Sequence, residues 1–252
     1  MDIRKLLDLK LLSQPFGSSL QAELQLDEGM LIAQLYTKLE NCISVLSDLK
    51  ARKSYIYYGT LAGQIGINEK EEVIHSIWED KLLSRVHHED LLRKYRLEFK
   101  YFQLLNTIAP AERINYSVTT KLRVKNAEGA YLALQHRLLY ISSSGDGSVW
   151  LALCLYNLMH DHPRYNIPEG VIINSQTGSA VDLHQDEFNN MLTSREKEIL
   201  HLIKNGHRSK EISVKLSLSI NTVNRHRQNI FQKLNVTNAM EACRVAEAAG
   251  LF

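Results

Sequence analysis

The apolar positions of the chain keep two different rhythms. Over the first 40 residues, chiefly QAELQLDEGMLIAQLYTKLENC, and again over residues 69–107, in EEVIHSIWEDKLLSRV and EDLLRKYRLEFKYFQLL, they recur at helical spacing. Between these stretches, CISVLSDLK and KSYIYYGT are short runs rich in β-branched and aromatic residues, which predict two strands. Residues 114–159 then read as three more strands, broken by turns at Gly129 and at SSSGDGS. Two strands, helices and a three-stranded meander predict one α+β domain. Pro163 and Pro168 fall in HDHPRYNIPEG and mark its end. GVIINSQTGSAVDL predicts a further hairpin turning at Thr177-Gly178, and HQDEFNN a polar linker.

From residue 191 onward every pattern is helical. LTSREKEILHLIKNGH opens with Thr193 and Glu196 at capping-box spacing and closes at Asn205-Gly206. SKEISVKLSL predicts a short second helix with Ile212 and Leu216 inward. SLSINTVNRHRQNIFQKL predicts a third with Ser219 as N-cap, and NAMEACRVAEAAG a fourth ending at Gly250. Two short helices joined by a tight turn, with a longer third, have helix-turn-helix spacing. On the third helix, at about 100° per residue, Ile220, Val223, Ile230, Phe231 and Leu234 share one stripe. Asn221, Asn224, Arg225, Gln228 and Gln232 lie opposite, and Thr222, His226, Asn229 and Lys233 form a flanking stripe. Amide and guanidinium groups bond base edges bidentately in the major groove, while hydroxyl, imidazole and ammonium groups suit phosphate. A solvated surface helix can carry the same residues, so the pattern alone leaves both readings open.

Charge separates the two halves. Of 30 lysines and arginines and 28 acids in the 252 residues, ten bases and five acids fall in Met191–Phe252, which carries +5 and leaves −3 elsewhere. Only the small basic part is then expected to meet a polyanion. Cys42, Cys154 and Cys243 have no paired spacing, as in a reducing compartment. With no apolar run of membrane-spanning length and no unbroken signal-peptide core at the N-terminus, the expectation is a cytoplasmic protein without a membrane partner.

The stretch LTSREKEILHLIKNGHRSKEISVKLSLSINTVNRHRQNIFQKLNV closely resembles the LuxR/FixJ-type helix-turn-helix, whose pattern is roughly L-T-x-R-E-x-E-(I/V)-L, G-x-S-N-K-E-I-A and T-V-K-x-H-x-x-N-I-x-x-K-L. The resemblance implies a four-helix DNA-binding domain that puts its third helix in the major groove and usually binds as a dimer. It places Thr222, Val223, Asn224, His226 and Lys233 at the family's DNA-contacting positions, and Lys210 at its basic position on the second helix. With the outward stripe, the expected DNA-binding set is Lys210, Asn221, Thr222, Val223, Asn224, Arg225, His226, Gln228, Asn229 and Lys233. The chain departs from the family at Asn224, usually Lys, at Arg208, Ser209 and Ser213, usually Ser, Asn and Ala, and at Arg227, which falls on the apolar stripe.

Upstream, IWEDKLLSRVHHEDLLRK and RVKNAEGAYLALQHRLLYISSSGDGSVWLALCLYNL resemble the helical stretch and terminal sheet of PAS domains, without the family's usual Trp and D-I-T ending. That resemblance implies a five-stranded antiparallel sheet with short helices, a fold that encloses a small ligand or simply mediates dimer contacts. A haem ligand could be any of His75, His87, His88 and His136, and the flavin-binding motif of PAS domains does not occur. No cofactor is expected. His160 and His162 are spaced to share a metal in a strand, but no further ligands are in view and a linker is the better reading. In HHEDLL, Asp90 is expected to be an N-cap and His87 a loop residue; Tyr55, Tyr57, Tyr58, Trp78 and Trp150 are expected in the core. No phosphate-binding glycine loop, nucleophile elbow or paired carboxylates point to an enzyme.

The expected organisation is a helical segment at 1–40, a PAS-like sensory domain at 41–160, a hairpin and linker at 161–190, and the helix-turn-helix at 191–252. The expected function is a dimeric, DNA-binding transcription regulator whose partners are double-stranded DNA and a small molecule in the sensory domain. The alternative is an adaptor that uses the helical domain to dock a partner protein and senses nothing.

Overall fold

The structure, a computed structural model, describes residues 3–17, 22–159, 169–181, 192–234 and 236–248. The His160–Asp161–His162 cluster, the polar linker and Gly250 lie outside the described residues. The chain divides into two compact units, residues 7–181 and residues 182–252 with 1–6.

In the larger unit the part of α1 (Ile3–Leu12) from Leu7 onward and α2 (Ala22–Glu40) precede the hairpin β1 (Ile43–Asp48) and β2 (Lys53–Tyr58). Next come α3 (Leu61–Gln64), β3 (Glu71–Ile74), α4 (Asp80–Leu83), the long α5 (His88–Leu105) and a 3₁₀ turn, Pro110–Asn115. The meander β4 (Tyr116–Lys125), β5 (Tyr131–Ser143) and β6 (Val149–Leu158) follows, and then the hairpin β7 (Gly170–Asn174) and β8 (Ala180–Val181). All pair antiparallel in one sheet of order β3-β2-β1-β6-β5-β4-β7-β8. Its centre, β2-β1-β6-β5-β4, is the five-stranded antiparallel sheet that the PAS resemblance implies. The sheet is longer than expected because both edges are extended. The 170–181 hairpin, turning where Thr177-Gly178 predicts, pairs Tyr116–Thr120 of β4 with Gly170–Asn174. At the other edge β3 lies within the segment read as helical. Glu71–Ile74 pairs with Ser54–Tyr57, so ladder hydrogen bonds to β2 override the helical spacing of EEVI.

β1 is buried at all six positions because it lies between β2 and β6 with both faces covered. Along β6 the period of two sends Leu151, Leu153 and Leu155 toward α2, where they join Ala33, Leu46 and Tyr57. Ala152 and Cys154 point the other way, toward Lys94 and Glu98 of α5. Three of the five singled-out aromatics behave as core: Tyr57 and Trp150 are buried and Tyr55 packs against their cluster.

Asp90 is not an N-cap. α5 starts at His88 with His87 at the cap position and no side-chain cap bond, so Asp90 falls on the first turn. Its buried carboxylate accepts from the Arg123 backbone N–H at 2.7 Å and from Arg123 Nε at 2.9 Å and Arg93 Nη2 at 2.8 Å, tying α5 to β4. Burial works to raise the Asp90 pKa, but the Arg123 hydrogen bonds and the Arg93 charge outweigh it and bring it down to about 2. A carboxylate with a lowered folded pKa stabilises the fold above its unfolded pKa and loses that contribution as pH falls through the folded one. The shift is equivalent to about 2 kcal/mol. Urea titrations should therefore show the stability difference between wild type and Asp90→Asn, about 2 kcal/mol at neutral pH, closing between about pH 4 and pH 2. A difference that persists unchanged at pH 2 would remove the carboxylate from this role.

Candidate nucleic-acid interface and the interior of the sheet unit

The smaller unit holds α6 (Ser194–Lys204), α7 (Ser209–Leu216), α8 (Ile220–Lys233) and α9 (Ala239–Ala248). The capping box forms as expected: Glu196 N–H donates to Thr193 Oγ1 at 3.2 Å and Thr193 N–H donates to Glu196 Oε2 at 2.8 Å. Glu196 also accepts from Lys233 Nζ at 2.7 Å, which ties the end of α8 to the start of α6. The turn between α7 and α8 is made by Ser217 in the left-handed region (φ 53°), with Leu218 N–H returning to Ser213 O at 2.9 Å. Ser219 then caps α8, accepting from Thr222 N–H at 3.0 Å. Ser213, where the family has Ala, is buried and donates to Lys210 O at 2.7 Å, so its hydroxyl is satisfied within its own helix. Arg208, at the family's usual capping Ser, cannot accept from the first turn; its backbone N–H instead donates to Glu211 Oε2 at 2.7 Å.

Val223 and Ile230 of α8 and Leu234 at its C-terminal cap are wholly or almost wholly buried, as are Ile199 and Leu200 of α6 and Ile212 of α7. One correction applies to that apolar stripe. Ile220, at the first position of α8, is 44% exposed and outside the core. Arg227 is half-buried and snorkels, its guanidinium 5.9 Å from the centre of the Phe231 ring one turn on. On the far side Asn221, Asn224, Arg225 and Gln228 are exposed, as is Lys210 on α7. Thr222, His226 and Asn229 are half-buried, and the Thr222 hydroxyl is shared with Ser219 at 2.8 Å. Two expected DNA contacts sit differently. Val223 is fully buried and acts in the core, and the Lys233 ammonium is engaged by Glu196. On α9, Ala242 and Ala246 are buried in the core of their own domain.

In the larger unit, charge is buried on the α5 side of the sheet. Lys94 Nζ lies 2.8 Å from Glu98 Oε1, with both side chains at most 3% exposed. Burial opposes the charge on Lys94, but the Glu98 and Glu79 carboxylates outweigh it and hold the ammonium protonated. The Tyr156 hydroxyl donates to Glu79. Thr120, His136 and Tyr156 form one row across β4, β5 and β6. His136 alone of the four candidate histidines is fully buried; burial, helped by the Lys94 charge, pushes its pKa well below the usual range, so it is neutral. Neither its ring nitrogens nor the Thr120 hydroxyl has a hydrogen-bond partner among the described residues. Beside Lys94 and Glu98 is a cavity of about 30 Å³, reached by Trp78, Glu79, Tyr140 and Cys154. Among the described residues no cluster of three or more metal-ligating side chains occurs, and no helix is long and apolar enough to cross a membrane. Sequence reading missed this buried cluster; its only trace was Lys94 and Glu98 four apart on a helix.

Residues 190–246 match the family of bacterial regulatory proteins of the luxR type. Among curated proteins the chain is 33% identical over 99 residues to the transcriptional regulatory protein DesR of Bacillus subtilis, covering 38% of this chain and 50% of that protein. It is 47% identical over 62 residues to the uncharacterized response regulatory protein YgeK of Escherichia coli, covering 25% and 42%. The chain thus spans half or less of the length of these relatives. Of solved structures, the Vibrio cholerae VqmA dimer, a LuxR-type receptor, covers 90% of this chain and 88% of its own at 16% identity, with a TM-score of 0.35. The C-terminal unit is a LuxR-family helix-turn-helix domain.

Proposed function

We propose that the protein is a sequence-specific DNA-binding transcription regulator, cytoplasmic and dimeric, in which a PAS-like domain controls the helix-turn-helix. The single observation that carries the reading is the outward face of α8, where Asn221, Asn224, Arg225 and Gln228 stand exposed opposite a buried Val223–Ile230–Leu234 side. Those are the groups that read base edges. Thr222, His226 and Asn229 on the flank and Lys210 on α7 would meet phosphate; Val223 would support the helix from inside, and Lys233 would act mainly through Glu196. The proposed division is 1–40, 41–160, 161–190 and 191–252. Two copies on a pseudo-palindrome would have half-sites about 10 bp apart.

The unpaired Thr120–His136 row and the charges beside it support a small polar molecule as the signal. The cavity beside Lys94 and Glu98, which Thr120 and His136 do not line, has room for about one water, so a larger ligand must open it. The test of the DNA reading is a mobility shift on genomic fragments across a salt series. The expected result is a shift at low salt whose affinity falls steeply and linearly on logarithmic axes. No shift at low salt, with or without cell extract supplying the small molecule, would overturn it in favour of the adaptor reading.

A further inference from the structure

Helix α2 is apolar on two opposite sides, and only one of them is used. Ala33, at mid-helix, is fully buried on the sheet with Leu26, Met30 and Tyr36 packed against the same core. Directly opposite, at about 100° per residue, Leu24, Leu31 and Leu35 make one line, bordered by Ile32 and Leu39. These five are 58%, 56%, 46%, 40% and 81% exposed, too much contiguous apolar surface for a face meant to meet water.

The line has the 4-3-4-3 spacing of a coiled-coil seam: Leu24, Glu28, Leu31, Leu35, Lys38. It is also self-complementary about its centre. Leu31 and Leu35 are equally far from Ala33, and so are Glu28 and Lys38, both exposed. An antiparallel copy related by a two-fold axis level with Ala33 therefore sets Leu31 against the partner's Leu35 on both sides of the axis. The next layers outward set Glu28 against the partner's Lys38. Parallel in-register pairing would instead bring Glu28 to Glu28 and Lys38 to Lys38, with like charges against each other in the seam.

We propose that α2 is the dimer interface: the bare face packs antiparallel on α2 of a second copy of this chain. This deepens the dimeric reading above by naming its surface. The contact is isologous, as two-fold symmetry requires.

The full-length protein tests it by sedimentation velocity over a range of concentrations. Wild type is expected to dimerise reversibly, and Leu31→Asp to raise the dissociation constant at least tenfold with little change in the thermal melt, since Leu31 is 56% exposed. Glu28→Lys is expected to weaken the dimer severalfold, and Glu28→Lys/Lys38→Glu to restore it. In a Cys243→Ser background, a mixture of Leu31→Cys and Leu35→Cys should cross-link on oxidation faster than either variant alone. A monomer at every concentration, a dimer indifferent to Leu31→Asp, or faster cross-linking of each cysteine variant with itself would each overturn the proposal. The mobility shift of Leu31→Asp on a single half-site separates this from the DNA reading: it stays at the wild-type level if only the dimer contact is lost, and a wild type that dimerises through α2 yet shifts no DNA leaves this proposal standing alone.

Discussion

Glu98→Ala is expected to cost the larger unit about 3–5 kcal/mol, the amount typical of removing one partner from a buried ion pair. The reason lies less in the strength of the pair than in what it leaves behind. Lys94 is 1% exposed, its ammonium 2.8 Å from Glu98 and 5.2–5.6 Å from the ring centres of Tyr95 and Trp78. Without Glu98, Glu79 is the remaining carboxylate acting on it, and that one already accepts from Tyr156. Ordinary domains are stable by only 5–15 kcal/mol, so the variant should unfold at a far lower urea concentration. Lys94→Met/Glu98→Leu removes both charges and keeps similar volume, and should recover most or all of the loss. Urea unfolding followed by circular dichroism reads both. A double variant no more stable than Glu98→Ala would mean that the site needs its charges for more than neutralising each other, as a site that holds a polar ligand would.

That pair also shows where sequence reading stops. Lysine and glutamate four apart on a helix usually mark a solvated face, and nothing local distinguishes Lys94–Glu98 from such a pair. What buries it is the meander Tyr116–Leu158, far downstream in sequence, which turns Tyr140, Cys154 and Tyr156 toward α5. β3 was hidden for a similar reason: Glu71–Ile74 becomes a strand only because β2 offers it an edge. Asp90 looked like a cap because an acid near a helix start is common, whereas its partners Arg93 and Arg123 come from the next turn and from a distant strand. Features set by neighbours in sequence were legible. The Thr193–Glu196 box, the Ser219 cap, the turns at Gly129 and Thr177-Gly178, and most of the two-sided character of α8 all follow from spacing of a few residues. Even there the ends gave way. Ile220 has the right angle for the core, but at the first position of α8 it has no helix turn before it to pack with.

Asn224→Ala/Arg225→Ala is expected to lower affinity for a specific operator by roughly 10²–10³-fold while leaving affinity for random DNA within a few-fold. Each well-placed bidentate base contact is worth about 1–3 kcal/mol of discrimination, and neighbouring residues do not add in full. Both side chains are exposed, so the melting temperature should not move. Lys210→Ala should behave in the opposite way, weakening all sequences alike and reducing the salt slope by about one, as loss of a phosphate contact does. Asn224 distinguishes the face from its family. An amide there has lost the charge of the usual lysine and gained the donor and acceptor pair that fits adenine. Selection of bound sequences from a random pool should then show one position per half-site favouring adenine with wild type and moving toward guanine with Asn224→Lys, accompanied by a steeper salt dependence. If preference stays put while overall affinity rises, Asn224 faces the backbone, and base reading falls to Arg225, Gln228 and Asn221 alone.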